Sequence, residues 1–236
     1  MNLLLLKPDQ INQQTATVSG RQLEHLIAVQ RAEVGDSVRV GEVNGLMGQG
    51  IIKTLSAEQA ILEVSLDTPP PPATPLCLIL ALPRPKMLRR TLQSVTAMGV
   101  KAIYLVNSSR VEKSFWQSPF LQPLALEEQM TLGLEQARDT QMPKLHMRKR
   151  FKPFVEDELG DIIKGSQALV AHPITELPCP INSDSAVTLA IGPEGGFIPY
   201  EVELLNSVGF DAVHLGPRIL RVEVAVPALI SRLFPA

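Results

Sequence analysis

Cysteine is scarce in this chain of 236 residues: there are two, Cys77 and Cys179. Neither stands in a CxxC pair and no histidine cluster accompanies them. A disulfide framework or a metal site is therefore not expected, and a reducing compartment fits. Aromatic residues make up only 4%, so aliphatic side chains must fill any core. No apolar run approaches the ~20 residues that span a bilayer. The run Leu3-Leu4-Leu5-Leu6 is too short for a signal-peptide core and lacks a basic start. A cytoplasmic location with no membrane partner is the expectation. The formal net charge is −2, without the basic excess of proteins that coat nucleic acid indiscriminately. Contact with any nucleic acid would have to come from local basic patches. There is no Walker A loop, no GxGxxG fingerprint and no internal repeat, which argues against an ordinary nucleotide-binding α/β enzyme.

What is present begins with a hydrophobic fraction of 45% and 20 prolines. The first supports a substantial core, and the second implies short elements joined by stiff corners. Thr68-Pro69-Pro70-Pro71-Pro72-Ala73 favours an extended polyproline segment and divides the chain into 1–68 and 73–236, with 69–72 as linker. The first part reads as mostly β. Leu3 to Leu6 is a candidate strand. Ser19 is a candidate cap for a short helix from Gly20 to Gln30, with Leu23, Leu26 and Ile27 on one face. Further strands are expected around Val38 to Val40, at Gly50 to Lys53 and at Ala60 to Val64, with a hairpin at Asn44-Gly45. So many short strands suggest a small β-barrel. After the prolines, strands alternate with helices. Strands are expected at Leu76 to Leu82, Ala102 to Val106, Ala168 to Ala171, Val187 to Ile191 and Ala212 to Leu215. Helices are expected at Lys86 to Met98, Pro123 to Ala137, Pro199 to Val208 and Val222 to Phe234. That rhythm implies a mostly parallel sheet covered by helices, an α/β fold.

Two segments carry chemistry. Gly192-Pro193-Glu194-Gly195-Gly196-Phe197 directly follows one expected strand, where ligands of open α/β sheets bind. Its glycines allow backbone amides to approach a ligand, and Glu194 makes a cationic or neutral ligand easier to accept than a phosphate. Leu215-Gly216-Pro217-Arg218-Ile219-Leu220-Arg221-Val222-Glu223-Val224-Ala225 follows another strand and opens a helix. The two loops would form opposite walls of one pocket, with Arg221 and Glu223 near its mouth. A tight turn and a solvated helix start are the plainer alternatives.

As a pair these segments resemble the GPEGG-F loop and the later LGPRILR-x-E-x-A segment of the ribosomal RNA small-subunit methyltransferase E family, of the SPOUT class. Leu134-Glu135-Gln136-Ala137-Arg138 resembles that family's EQ-x-x-R helix. Leu82 to Lys86 through Gly99-Val100 resembles its strand and helix, and His25 with Arg31 to Asp36 resembles its small PUA-like barrel. Val222 stands where the family usually has Thr, and Asn107 to Val111 replaces its Thr-Glu-Arg-Ser-Val. The resemblance implies a SPOUT-type parallel sheet with a C-terminal trefoil knot, a rarity among folds, and an N-terminal PUA-like RNA-binding barrel. It implies a homodimer that methylates N3 of a uridine in small-subunit (16S) ribosomal RNA, free or within the assembled subunit, using S-adenosyl-L-methionine. Gly192, Pro193, Gly195 and Gly196 would hold this cofactor with Leu215, Gly216, Ile219 and Leu220. Ala171, His172 and Pro173, at the end of a neighbouring strand, would join them. Glu194 or Glu223 would accept the uridine proton and Arg221 would stabilise charge on the carbonyl oxygens. Arg84, Lys86, Arg89, Arg90, Arg138 and Arg218 would contact RNA, and the run Lys144 to Lys152 is a second basic stretch. A non-catalytic RNA-binding paralogue that keeps the cofactor pocket is the competing reading.

Overall fold

In the computed structural model, residues 2–235 are described. Met1 and Ala236, which the two expected domains include, lie outside the described residues. Contacts divide the chain into two compact units, Met1–Pro72 with Met130–Met142, and Ala73–Gln129 with Pro143–Ala236. One unit edge falls at Pro72, and a second feature was not suggested by the sequence. A short segment from the middle of the chain belongs with the N-terminal unit.

The N-terminal unit holds β1 (Leu4–Leu6), β2 (Ile11–Asn12), β3 (Thr15–Val18), β4 (Ser37–Glu42), β5 (Met47–Leu55) and β6 (Ala60–Thr68), in the sheet order β1-β4-β5-β6-β3-β2. The β1–β4 pair is parallel and the others are antiparallel. Alternate residues such as Ala16 and Val18, or Ala60, Leu62 and Val64, are buried, as the two-residue period of a half-buried strand demands. Helix α1 (Gly20–His25) continues as a π-helical turn, Leu26–Gln30. Ser19 stands at its N-cap position, but its side chain makes no capping bond. Leu23 and Leu26 are buried, whereas Ile27 is exposed, because the wider π turn rotates it off the apolar face. The hairpin at Asn44-Gly45 joins β4 to β5. It is clasped by the segment after helix α3 (Pro123–Ala137): Thr140 Oγ1 donates to Gly45 O at 2.6 Å and Asn44 N donates to Thr140 O at 2.8 Å.

In the second unit, β7 (Thr74–Ala81), β8 (Val100–Val106), β9 (Lys144–Arg148), β10 (Gln167–Ala171), β11 (Val187–Ile191) and β12 (Asp211–Val213) form a sheet in the order β12-β10-β11-β7-β8-β9. Every pairing in it is parallel. Central strands of such a sheet are covered on both faces, which is why Leu78, Ile79, Leu80 and Ala81 are all buried. The remaining helices are α2 (Pro85–Ala97), the short turns α4 (Phe151–Pro153) and α5 (Gly160–Ile162), α6 (Pro199–Ser207) and α7 (Val222–Leu233). Strand β9 and the helical run over 151–162 were not expected from sequence. Chain order runs outward from β7 to β9 and then returns to the other side of the sheet, so the loops after β10, β11 and β12 are neighbours. Among the described residues no helix is long and apolar enough to cross a membrane.

Candidate active site

The carboxyl ends of β10, β11 and β12 open into a cavity of about 280 Å³. Ala171, His172 and Pro173 line one side, continuing β10. The loop after β11 contributes Gly192, Pro193, Glu194, Gly195 and Gly196. The loop after β12 contributes Leu215, Gly216, Arg218, Ile219 and Leu220, and the first turns of α7 add Val222, Ala225 and Leu229. The two sequence segments, which need not have met, are therefore walls of one cavity. Arg221 and Glu223 are not among its lining residues. Arg221 stands exposed at the N-cap of α7, and Glu223 is half-buried in its first turn.

The glycine loop is tight for a reason that concerns its own backbone. A Cβ on Gly192 would stand 2.8 Å from Phe197 N, closer than such atoms approach without backbone movement. Gly196 has φ +74°, a conformation that side chains disfavour, and its amide closes the turn onto Pro193 O at 2.7 Å. Phe197, buried, anchors the loop beneath.

The same loop is braced from outside its own sequence. Glu201 in α6 is buried at 3% exposure. Its Oε2 accepts from Ile198 N at 3.0 Å and its Oε1 accepts from Ser109 N at 2.6 Å. Arg110 donates from its guanidinium to Gly195 O. Arg84 N donates to Glu194 Oε1 at 3.1 Å. The loops after β7 and β8 thus hold the loop after β11 at three points. These bracing residues, Glu201 and Arg110 above all, were not singled out from sequence. On the β12 side, Gly216 N donates to His214 Nδ1 at 2.9 Å, and His172 N donates to Val213 O at 2.9 Å.

The cavity suits a ligand that is part apolar and part cationic. Leu215, Ile219 and Leu220 offer aliphatic surface, exposed glycine-loop backbone offers polar groups, and Glu194 is the one carboxylate among the described lining residues. S-adenosylmethionine has an adenine, an amino acid and a sulfonium, which these residues fit. Ile219 is 85% exposed, a large apolar area to leave in water unless something covers it.

Of the basic residues, Arg84 is exposed ahead of α2, and Lys86, Arg89 and Arg90 are exposed on it. Arg89 lies over the Phe120 ring, 5.0 Å from its centroid. Arg218 lines the cavity, and Arg138 lies in the N-terminal unit. The run 144–152 is less available than its charge suggests. Arg148 is held by both Glu158 oxygens at 2.8 and 2.9 Å, and Lys152 pairs with Glu156 at 3.6 Å. His146 stacks on Tyr104, 4.6 Å between centroids, a packing role.

Comparison with known proteins follows the same lines. A family model described as RNA methyltransferase domain matches residues 70–234. The chain is 29% identical over 236 residues to the ribosomal RNA small subunit methyltransferase E of Treponema pallidum (strain Nichols), covering 97% of this chain and 88% of that one. It is 26% identical over 245 residues to the protein of the same name from Synechocystis sp. (strain ATCC 27184 / PCC 6803 / Kazusa), covering 98% and 76%. The fold is similar to that of the ribosomal RNA small subunit methyltransferase E from Neisseria gonorrhoeae, solved bound to S-adenosyl methionine. The TM-score is 0.77 at 22% identity, over 98% of this chain and 95% of that one.

Proposed function

Since the chain belongs to the RNA methyltransferase family, residues 70–234 spanning its domain, we propose that it transfers a methyl group from S-adenosylmethionine to N3 of a uridine in small-subunit (16S) ribosomal RNA. The observation that carries this is the meeting of the 192–197 and 215–222 segments around one cavity at the carboxyl ends of parallel strands. The names of the Treponema and Synechocystis relatives and the ligand of the Neisseria structure support it.

When bound, S-adenosylmethionine supplies an electrophilic methyl on a sulfonium. The chain's own groups have three tasks. Backbone of the glycine loop and the apolar residues of 215–220 hold the cofactor and keep water from it. A uridine N3 carries a proton near neutral pH, so an acceptor must favour its removal. Glu194 has the position for this: Arg84 N holds Oε1, which leaves Oε2 to accept. Glu223, outside the lining, is the less direct acceptor. Arg221, exposed at the start of α7, stabilises charge developing on the uracil carbonyls once substrate covers the mouth.

The finer features of the fold belong to the same proposal. The trefoil knot is supported by the way α7 is tied to the long loop between β10 and β11. Ser183 N donates to Leu233 O at 2.7 Å, and Arg232 Nε donates to Cys179 O at 2.7 Å. The homodimer is supported by apolar side chains that a monomer leaves in water, among them Ile174, Leu177, Ile181 and Val224. The N-terminal sheet is a PUA-like barrel that binds RNA, and the protein works in the cytoplasm.

The test is methyl transfer from labelled S-adenosylmethionine to unmodified small ribosomal subunits and to free transcript, with the product nucleoside identified by mass spectrometry. The expected product is 3-methyluridine. A different methylated nucleoside would overturn the N3 assignment. Cofactor binding without transfer would favour the non-catalytic paralogue.

A further inference from the structure

The N-terminal unit contains a second cavity, of about 350 Å³, lined mostly by polar groups. It has a structural origin. Strands β1 and β4 first pair at Leu4 and Val40. Just upstream the two strands part, because Asn2 N and Leu3 N donate instead to Glu135 O, at 3.0 and 3.1 Å. The gap lies beside Ser37, Val38 and Arg39 of β4, with Gln30 at the end of the π-helical turn and Arg138 just past α3. Leu4 and Leu26 give it an apolar floor.

Two cations, Arg39 and Arg138, thus face one cavity, and neither guanidinium has a hydrogen-bond or ion-pair partner among the described residues. Arg21, in the same unit, is by contrast paired with Glu135 at 2.9 Å. No Asp or Glu is among the described lining residues of the cavity. Guanidinium groups beside hydroxyl and amide side chains match a tetrahedral oxyanion, which arginine recognises through two parallel N–H donors. Arg138 ends α3 in the left-handed conformation, φ +58°, as residues just past a helix commonly do, and it lines the cavity from there.

We infer that this cavity is a phosphate-binding site for the RNA strand, in which Arg39 and Arg138 grip a phosphodiester or two adjacent ones. The inference rests on the reading of the chain as an RNA methyltransferase, but its test does not depend on turnover. Unmodified transcript of small-subunit ribosomal RNA is titrated with the full chain at several salt concentrations, and with the Arg39→Ala/Arg138→Ala variant. The variant is expected to bind roughly tenfold more weakly, and its log–log salt slope is expected to fall by about 0.7 to 1.8, from one or two lost phosphate contacts. The far-ultraviolet circular dichroism spectrum and the melting temperature are expected to stay at the wild-type values, which shows that the variant is folded, and S-adenosylmethionine affinity is expected to be unchanged because its cavity lies in the other unit. Arg39→Lys/Arg138→Lys is expected to recover much of the affinity, since charge returns without the fork. A Lys53→Ala/Lys164→Ala variant removes the same charge from other surfaces, where both lysines are already ion-paired. If that variant weakened RNA binding equally, or if the arginine variant kept wild-type affinity and slope, the site would be refuted. If inorganic phosphate raised the melting temperature of wild type but not of the arginine variant, while RNA affinity was equal in both, the cavity would take free phosphate and the RNA assignment would fail. Absence of methyl transfer in the separate assay would remove the catalytic reading and leave this binding result standing.

Discussion

At the scale of single residues, Glu201 shows how a carboxylate far from a loop in sequence sets its shape. It is buried and satisfies Ile198 N, three residues away, and Ser109 N, 92 residues away. Glu201→Ala leaves both amides without that acceptor. A buried orphan costs about 1–3 kcal/mol, and Ser109, being exposed, regains water. A loss of ~2 kcal/mol is expected, or about 4–8 °C in melting temperature for a chain of this size. Glu201→Gln keeps one acceptor and should fall midway; a melting curve equal to wild type for the Ala variant would refute the bracing role. Gly192→Ala acts on the cofactor instead. Its Cβ meets backbone, Phe197 N at 2.8 Å, so the loop must shift, and S-adenosylmethionine affinity measured by calorimetry should fall roughly tenfold, the equivalent of ~1.4 kcal/mol. Unchanged affinity would show that the loop accommodates the methyl. Cys77 makes a chemical prediction. Burial pushes its thiol up to about 11, so it holds little thiolate at neutral pH. Iodoacetamide should label it only after denaturation, and rapid labelling of the native protein would contradict this. The contiguous glycine loop was legible in sequence because its residues are neighbours. Glu201 and Arg110 were not, because their partners are brought to them only by tertiary folding.

At the scale of elements, legibility followed how cleanly a segment repeats. Strand β11 and helix α3 have the bounds that their apolar patterns suggest, although Leu124, one of the apolar positions of α3, is 76% exposed. Strand β9 was hidden because Lys144-Leu145-His146-Met147-Arg148 is an edge strand with charged ends, which reads as a basic run. The helical run over 151–162 was hidden by Pro153 and Gly160, residues that ordinarily break helices. The last turn of α3 carries an asymmetric ion pair. Arg21 binds Glu135 with both terminal nitrogens at 2.9 Å; the Glu135 side chain is 2% exposed and that of Arg21 is 43% exposed. Removing the exposed partner leaves a buried carboxylate with only the longer bond from Gln22 Nε2 at 3.3 Å, whereas removing Glu135 leaves an arginine that water reaches. Arg21→Ala should therefore destabilise by about 3 kcal/mol and Glu135→Gln by less, despite Glu135 being the buried residue. Denaturant titration of the two variants measures this, and the opposite ranking would mean that the pair is not what holds this turn.

At the scale of the whole molecule, one unit edge falls between Pro72 and Ala73, but residues before it are not the whole of the first unit. Residues 130–142 return to it. Leu134, fully buried, forms a small core with Leu3 and Leu5. Thr140 and Met142 clasp the β4–β5 hairpin at Gly45 and Asn44, with Met142 N donating to Asn44 Oδ1 at 2.9 Å. Sequence periodicity could not disclose this, since it reports the apolar face of α3 and not which unit each end of that face meets. A fragment of residues 1–72 consequently lacks part of its own core. Exposing Leu3 and Leu5 forfeits burial of about 1.5–3 kcal/mol each, and the Arg21–Glu135 pair and the hairpin clasp go as well. Small domains hold only about 5–15 kcal/mol in total, so these losses take most of it. The fragment should give a poorly dispersed amide NMR spectrum and no cooperative melting. The same fragment joined by a short glycine–serine linker to residues 130–142 should recover dispersion. A folded 1–72 fragment would show that the returning segment decorates the unit rather than completing it. Failure of the joined fragment to improve on it would locate the missing stability elsewhere.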